Sequence, residues 1–284
     1  MVLKAIFLEF RGVLIDDRLT QARVMQDLLL DQNLSLKPQE YEDLIKEEDD
    51  RSCLQILLDR RGRSHTVDEL NQLLQKRFEW TEKYLNRLDN QPHLHHNSLS
   101  HNGLANDSLP QGDQGLAVSS AATTAESIAP AERHRSSWLL PDVKDFLFRA
   151  RALSYKLVLM TSSIEQEVNS VLNAEQISPY FDLVLPGEKL PYQPIKPQAY
   201  TYALQCLNET YPNLNLTPHN CLAIESLYRH CDAARSVGIS VAAVSRYRPI
   251  HFLQRRADWT VDRLTDLEFD RINASLSPSV GFRT

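Results

Sequence analysis

The charged and reactive residues of this 284-residue chain that suggest chemistry lie in four short polar segments. Carboxylates bind hard divalent cations and act as nucleophiles or bases, whereas Lys and Arg side chains bind anions. A hydroxyl followed by the backbone N–H groups of a helix start is also an anion site. Thr161 with Lys196 is therefore a candidate anion site. The segments are Glu9-Phe10-Arg11, Thr161-Ser162-Ser163, Ile195-Lys196-Pro197 and Glu225-Ser226.

Each polar segment borders a predicted strand or helix. From Trp138 onward, short apolar runs alternate with amphipathic helical patterns, which is typical of parallel βαβ units with helices on both faces. In such sheets, ligands bind beyond the carboxyl ends of the strands. The predicted strands are residues 3–8, 156–160, 181–185, 221–224, 239–244 and 259–261, and the predicted helices of this half are 141–153, 163–174, 198–208, 229–237 and 251–256.

The residues between the first strand and Trp138 divide into two parts. Over residues 16–88, apolar residues recur at helical spacing, which predicts an inserted helical cap. Residues 89–137 are rich in small and polar residues without a sustained period, which predicts a flexible low-complexity insertion. We expect an α/β core of residues 1–15 and 138–272, followed by a loose tail of residues 273–284.

The composition argues against several classes of protein. Hydrophobic residues make up 42% and charged residues 24% of the chain, and the N-terminus enters a strand-like run directly. Without a long apolar segment or a signal sequence, we expect a cytoplasmic protein with no membrane insertion. The net charge of −6 argues against nucleic acid as a partner. The four cysteines lack paired spacing and are expected to be reduced thiols.

In order and spacing, the polar segments resemble the four motifs of the haloacid dehalogenase superfamily. They are most similar to the branch with a helical cap after the first motif, which includes phosphoglycolate phosphatase and β-phosphoglucomutase. The resemblance implies a Rossmann-like parallel sheet core with an inserted α-helical cap. Supporting features are Gly12-Val13-Leu14, Pro141, Lys196-Pro197 and Ala233-Ala234 before Gly238.

The resemblance also implies which positions would be functional. In the family the first motif reads Asp-x-Asp; the first Asp attacks phosphorus, and the second protonates the leaving group and then activates water. The catalytic positions correspond to Glu9, Arg11, Thr161 and Lys196, the ligand-binding positions to Thr161, Ser162 and Lys196, and the metal-binding positions to Glu9, Glu225 and Ser226.

The first motif departs from the family pattern at both positions. The extra methylene of Glu9 displaces its carboxylate by roughly 1–1.5 Å, a misplacement that costs about a hundredfold in rate. An arginine side chain such as that of Arg11 has no acceptor lone pair and stays protonated near neutrality, so it cannot serve as a general acid–base. Some family members lack the second Asp, but those keep the nucleophilic one.

The fourth motif departs as well, because the second carboxylate, which binds Mg²⁺ in the family, is replaced by Ser226. A serine hydroxyl is a weak ligand for a hard cation. One hypothesis is that Arg11 takes the electrostatic place of Mg²⁺, held by Glu9 and Glu225. We therefore expect no cofactor, with Mg²⁺ only if the protein is an active enzyme.

Two features allow alternative interpretations. Thr161 and Lys196 form either a phosphate site or a structural pair, in which Thr161 caps its helix and Lys196 neutralises Glu9 and Glu225. In the cap, Glu47-Glu48 fall where relatives carry a Gly-Arg pair, and acidic side chains there repel a phosphate dianion. The alternative for this acidic segment is a solvated helix start with favourable N-terminal acids.

Three functions are compatible with these residues. The first is a catalytically impaired pseudo-phosphatase that binds a phosphorylated ligand or a protein partner. The second is an active phosphatase or phosphomutase-like hydrolase with Glu9 as an atypical nucleophile. The third is a structural or assembly partner that acts through the cap or the 89–137 insertion. The departures at Glu9, Arg11 and Ser226 favour the first.

Overall fold

The computed structural model describes residues 2–45, 47–89, 138–190, 195–246 and 249–276. In these residues, short 3-10 turns connect some of the strands and helices. The strands are β1 (Ala5–Leu8), β2 (Lys156–Met160), β3 (Leu183–Leu185), β4 (Cys221–Glu225), β5 (Ser240–Val244) and β6 (Trp259–Val261). The helices are α1 (Arg18–Asp31), α2 (Pro38–Ile45), α3 (Asp50–Asp59), α4 (Val67–Asp89), α5 (Val143–Ala152), α6 (Glu165–Ala174), α7 (Pro197–Thr210), α8 (Tyr228–Ser236), α9 (Ile250–Leu253) and α10 (Phe269–Leu276).

The strands form one parallel sheet in the order β3-β2-β1-β4-β5-β6. Every residue of β1 is apolar and buried, which suits a central strand covered on both faces. Leu8 of β1 lies in register with Leu159 of β2 and Ile224 of β4. These three strands therefore end at the same edge. The Rossmann-like parallel sheet expected from the sequence is confirmed.

Helices cover both faces of the sheet, and each face has its own buried cluster. On one face, α5, α6 and α10 contribute Phe146, Val168 and Ile272. On the other face, α7 and α8 contribute Tyr200 and Ala234. Since successive side chains of a strand point to opposite faces, both clusters receive apolar side chains from the central strands.

Helix α10 was not predicted from the sequence. The helix continues past residue 273, where the sequence suggested a loose tail. Asn273 Oδ1 accepts a hydrogen bond from the Leu3 N–H, and the Asn273 amide donates one to the Tyr155 hydroxyl, both at 2.8 Å. Because Ile272 is also buried, this helix is part of the core.

Helices α1–α4 lie between β1 and β2 in the sequence and share a further apolar cluster. Leu28 of α1, Tyr41 of α2, Leu54 of α3 and Leu74 of α4 are buried in it, at positions that the helical periodicity predicted. Ile164, which precedes α6, belongs to the same cluster. The cap therefore packs on the core, although the domain boundaries themselves stay a prediction.

Three sequence-based expectations concern the chain as a whole. In the part of the chain that the structure describes, we find no helix with the length and hydropathy of a membrane span. All four cysteines are free thiols, as their spacing predicted. Residues 90–137 of the expected insertion lie outside the described residues.

Candidate functional site

The carboxyl ends of β1, β2 and β4 bring several predicted site residues together. Glu9 directly follows β1, and Glu225 is the last residue of β4. Thr161 follows β2 at the same edge. The relative exposure of these three residues is 5%, 2% and 3%, so the candidate site is buried. This edge is where open parallel sheets bind their ligands.

Glu9, Glu225 and His230 form a buried group that we call the imidazole cluster. The Nδ1 atom of His230 lies 3.0 Å from Glu9 Oε1 and 3.5 Å from Glu225 Oε2. The sequence analysis did not identify His230. The available signal was a histidine on the buried face of α8, the helix that follows Glu225.

Neighbouring groups hold the outer oxygens of both carboxylates. Glu9 Oε2 accepts hydrogen bonds from the backbone N–H and the hydroxyl of Ser226, at 2.9 and 2.8 Å. Glu225 Oε1 accepts one from the Tyr200 hydroxyl at 2.7 Å. Ser226, a predicted metal position, therefore orients Glu9. Both Glu9 oxygens are engaged, Oε1 by His230 and Oε2 by Ser226.

The imidazole cluster shifts the pKa of each of its members. Burial alone raises the pKa of Glu9, but its close contact with the charge of His230 and the hydrogen bonds from Ser226 lower it overall. Burial alone lowers the pKa of His230, but Glu9 and Glu225 raise it well above its usual value. Burial raises the pKa of Glu225 to about 7; the contact with His230 opposes this shift and the charge of Glu9 adds to it. The two carboxylates therefore favour the protonated form of the imidazole.

Arg11 points toward the cap. Its guanidinium forms ion pairs with Asp17 and Glu167, and its Nε atom lies 3.0 Å from Asp50 Oδ2. The same Nε atom donates a hydrogen bond to Ser163 Oγ at 3.2 Å. Such charge-assisted contacts are stronger than hydrogen bonds between neutral groups. Arg11 is thus surrounded by acceptors on its cap side.

The hypothesis that Glu9 and Glu225 hold Arg11 in the place of Mg²⁺ is therefore wrong. The backbone turns directly after β1, where the Leu14 N–H bonds to the Phe10 carbonyl at 2.9 Å. Gly12 adopts a φ of 76° in this turn, a conformation that favours glycine. The turn directs the Arg11 side chain toward the cap helices, while Glu9 stays at the end of the sheet.

Arg77 of α4 completes a group that we call the guanidinium cluster, namely Arg11, Asp17, Asp50, Arg77 and Glu167. Arg77 Nη2 donates hydrogen bonds to both oxygens of Glu167, at 2.9 and 2.8 Å. Its Nη1 atom lies 3.2 Å from Asp50 Oδ2. Asp50 and Arg77 belong to cap helices and Glu167 to a core helix, so the cluster joins the cap to the core.

The polar segment after β2 is hydrogen-bonded within the protein. Thr161 Oγ1 accepts a hydrogen bond from the Ser163 N–H at 3.1 Å, before the helix begins. The N-cap residue of α6 is Ile164, so the alternative in which Thr161 caps this helix is wrong. Helix α6 begins at Glu165, whose N–H donates to the Glu188 carboxylate at 2.9 Å. A carboxylate of the protein itself therefore occupies the helix start at which an external anion would bind. Ser162 is buried beside Thr161.

Lys196 belongs to neither cluster. It is exposed directly before α7 and makes no ion pair with any residue that the structure describes. It lines a separate cleft of about 350 Å³, together with Arg229 and His230. The alternative in which Lys196 neutralises Glu9 and Glu225 is therefore wrong.

The acidic segment of the cap lies at the start of α3. Asp49 is the N-cap residue and accepts a hydrogen bond from the Ser52 N–H at 2.9 Å. Glu48 pairs with Arg229 at 2.8 Å. A helix does start at this segment, as the second interpretation predicted, but Glu48, Asp49 and Asp50 are buried, so the expectation of a solvated helix start is wrong. Burial raises the pKa of Asp49.

Little space remains between these groups. The cavity lined by Glu9, Arg11, Asp50 and Thr161 has a volume of about 20 Å³. One water molecule needs roughly 10–15 Å³ on this measure, so the cavity admits about one water. A phosphoryl group does not fit beside Glu9 unless the cap moves.

Mg²⁺ is the cofactor that the resemblance implies, and the residues at this site do not fit it. Mg²⁺ prefers an octahedral shell of oxygen ligands and keeps several waters. The Ser226 hydroxyl donates to Glu9, and a nitrogen of His230 lies against both carboxylates. A nitrogen atom thus stands where a further oxygen ligand would be needed.

This chain is similar to known proteins in sequence and in fold. Residues 3–238 match the sequence model of the haloacid dehalogenase-like hydrolases. The chain belongs to this family. A β-phosphoglucomutase from Clostridium difficile has a similar structure, with a TM-score of 0.63 at 16% identity over 97% of each chain. CbbY from Rhodobacter sphaeroides, solved in complex with phosphate, has a TM-score of 0.61 at 15% identity over 94% of this chain and 96% of its own.

Some of the similar proteins carry names from the branch that the motifs resembled. A phosphoglycolate phosphatase from Nitrosospira multiformis is 27% identical over 104 residues, which cover 37% of this chain and 43% of the relative. This chain spans about half the length of the curated relatives that it matches. The structural neighbours, at such low identity, establish the fold alone.

Proposed function

We propose that this haloacid dehalogenase-like protein is a non-catalytic member of its family, a pseudo-phosphatase that binds a phosphorylated ligand or a protein partner. The guanidinium cluster is the observation that carries the proposal. It holds the cation of Arg11 at the motif position where relatives have a proton-transferring carboxyl group. A guanidinium donates hydrogen bonds but does not exchange a proton near neutrality.

The contacts of Glu9 support the same proposal. A carboxylate nucleophile needs one oxygen free to approach phosphorus. His230 and Ser226 engage the two oxygens of Glu9, and the adjoining cavity admits about one water. A substrate phosphoryl group would have to displace these partners and also open the cap.

A binding role has space in the separate cleft that Lys196 lines. Its volume of about 350 Å³ is within the usual range for small-molecule sites. Lys196 and Arg229 supply cations, although Arg229 pairs with Glu48. The acceptors in the same lining are the carboxylates of Glu47, Glu48, Asp49 and Asp232. This mixture fits a ligand with one anionic group and several hydroxyls, such as a sugar phosphate, better than inorganic phosphate.

Turnover assays test the absence of catalysis. An aryl phosphate and a panel of sugar phosphates are assayed with and without Mg²⁺, for the wild type and for Glu9→Gln. We expect equal, background turnover from both proteins. Mg²⁺-dependent turnover that Glu9→Gln abolishes, or a phosphorylated adduct trapped on Glu9, contradicts the proposal and establishes the active hydrolase instead.

A gain-of-function variant is the matched positive control. Its substitutions Glu9→Asp, Arg11→Asp and Ser226→Asp restore the family motifs, and His230→Gly clears the space beside residue 9. We expect Mg²⁺-dependent turnover from this variant alone, provided that circular dichroism shows it folded.

For the binding role, calorimetry with the sugar phosphates compares the wild type with Lys196→Ala, and we expect the affinity for the sugar phosphate to fall in the variant.

A further inference from the structure

Three buried side chains of the imidazole cluster bring donor atoms close together. One donor atom each of Glu9, Glu225 and His230 lies within 4.8 Å of the other two. The two distances from His230 Nδ1, to Glu9 Oε1 and Glu225 Oε2, are 3.0 and 3.5 Å. Two atoms that each lie about 2.1 Å from one ion are separated by about 3.0–3.5 Å. The spacing around the imidazole therefore suits a coordinated metal ion.

Two of these donor atoms also lack a hydrogen bond. Glu225 Oε2 and His230 Nδ1 are among the buried polar atoms of the described residues that have no hydrogen-bond partner. Their residues are 2% and 3% exposed. Buried polar atoms without a partner are rare in folded proteins, and a bound ion is one of the few explanations for such atoms.

In each of these three side chains, the second oxygen or nitrogen atom lies next to a further residue. Ser226 holds Glu9 Oε2 through two hydrogen bonds, and Tyr200 holds Glu225 Oε1 through one. His230 Nε2 lies 3.9 Å from the carboxylate of Asp49. Metal ligands are oriented in this way, with a carboxylate or other group on the atom that does not bind the ion.

We infer that Glu9, Glu225 and His230 bind a divalent transition-metal ion of the zinc class, through two carboxylate oxygens and one imidazole nitrogen. Imidazole suits Zn²⁺ and its neighbours in the first transition row, whereas Mg²⁺ prefers oxygen alone. On binding, the ion takes the lone pair of His230 Nδ1, and a proton held there is released to solvent. Ser226 acts as an orienting residue and is not a ligand.

The imidazole ring borders a cleft on the side away from Glu9. His230 and Asp49 line this cleft of about 350 Å³, and Asp49 also lines the 20 Å³ cavity over Glu9. The residues of the guanidinium cluster do not line the cleft, so an ion that approaches the ring from there does not pass through that cluster. The metal site is independent of the proposed lack of catalysis, since a bound ion leaves the Arg11 ion pairs in place.

Calorimetry on the chelator-treated full-length protein tests the inference with Zn²⁺, Mn²⁺ and Mg²⁺, and elemental analysis measures the stoichiometry. We expect one tight Zn²⁺ site, with Zn²⁺ bound at least about 100-fold more tightly than Mg²⁺. His230→Ala should weaken Zn²⁺ binding by more than about 100-fold, and Tyr200→Phe by about 10–100-fold. His219→Ala removes an exposed histidine and should change nothing.

X-ray absorption on the zinc-loaded wild type gives a readout that does not depend on the folding of any variant. We expect nitrogen and oxygen scatterers at about 2.0–2.2 Å and an imidazole signature, without the sulfur shell at about 2.3 Å that a cysteine ligand produces. Absence of a tight site, unchanged affinity in His230→Ala, equal affinity for Mg²⁺ or a sulfur shell would each overturn the inference. None of these outcomes depends on phosphatase activity.

Discussion

The guanidinium and imidazole clusters are both buried at the edge of the sheet, but their charges differ in kind. In the guanidinium cluster, the two cations of Arg11 and Arg77 are permanent, and cap and core each contribute charged groups. In the imidazole cluster, every charge is exchangeable, and all three residues belong to the core. Permanent charges suit a structural joint between two parts of a protein. Exchangeable ones suit a site that takes up a proton or a metal ion.

Removal of Arg77 is the largest expected perturbation and tests the structural half of this comparison. Arg77→Ala leaves Asp50 and the fully buried Glu167 with Arg11 alone. Because one partner of a buried ion pair is lost, we expect the free energy of unfolding to fall by about 3–5 kcal/mol. Chemical denaturation followed by circular dichroism measures this change.

Arg60→Ala is the matched control for that measurement. Arg60 is another cap arginine, but it is exposed and pairs with Glu40 at 3.3 Å. Exposed pairs contribute less than about 1 kcal/mol. If the two variants lost similar stability, the guanidinium cluster would have no special role in joining cap and core.

Tyr200→Phe tests the imidazole cluster, and its expected effect on the free energy of unfolding is intermediate. The variant keeps the ring but leaves Glu225 Oε1, buried at the end of β4, without the hydrogen bond that it accepts at 2.7 Å. A buried polar group without its partner costs about 1–3 kcal/mol. Thermal unfolding of the metal-free protein checks this, and a change below about 0.5 kcal/mol would mean that Tyr200 does not orient Glu225.

Substitution of Asp182, which lies outside both clusters, has the smallest expected effect on the free energy of unfolding, and this effect depends on pH. Burial alone raises its pKa, but hydrogen bonds from Lys156, Leu157 and Tyr211 and the charge of Arg151 lower it overall. A lowered pKa in the folded state means that the stabilisation is present above the unfolded value of about 3.9 and is lost as the pH falls below it. Asp182→Asn should therefore cost about 1 kcal/mol at pH 7.

Unfolding curves of the wild type and Asp182→Asn between pH 7 and pH 2 measure this difference. The two curves should approach each other as the pH falls below about 4, and they should converge only below the lowered pKa of folded Asp182, where both side chains are neutral. A gap that stays constant down to pH 2 would show that the effect of the substitution is steric and not electrostatic. In that case the lost stability would not come from the charge of Asp182.

Much of the fold could be predicted because buried parallel strands are continuous apolar runs. Residues 156–160 were predicted as a strand and form β2. Helix α10 was missed, since its eight residues give too short a period to stand out after the final strand. Its place in the core depends on contacts of Asn273 with Leu3 and Tyr155, which lie far away in the sequence.

For the candidate site, the sequence predicts the chemistry of single side chains, whereas only the folded structure shows which side chains meet. Residue types alone establish that Arg11 transfers no proton and that Ser226 is a weak ligand for Mg²⁺, because these are properties of the side chains themselves. Which carboxylates surround Arg11, and that His230 meets Glu9, follow only from the folded chain. Those pairings depend on a turn after β1 and on the register of neighbouring strands, and both arise from packing between distant segments.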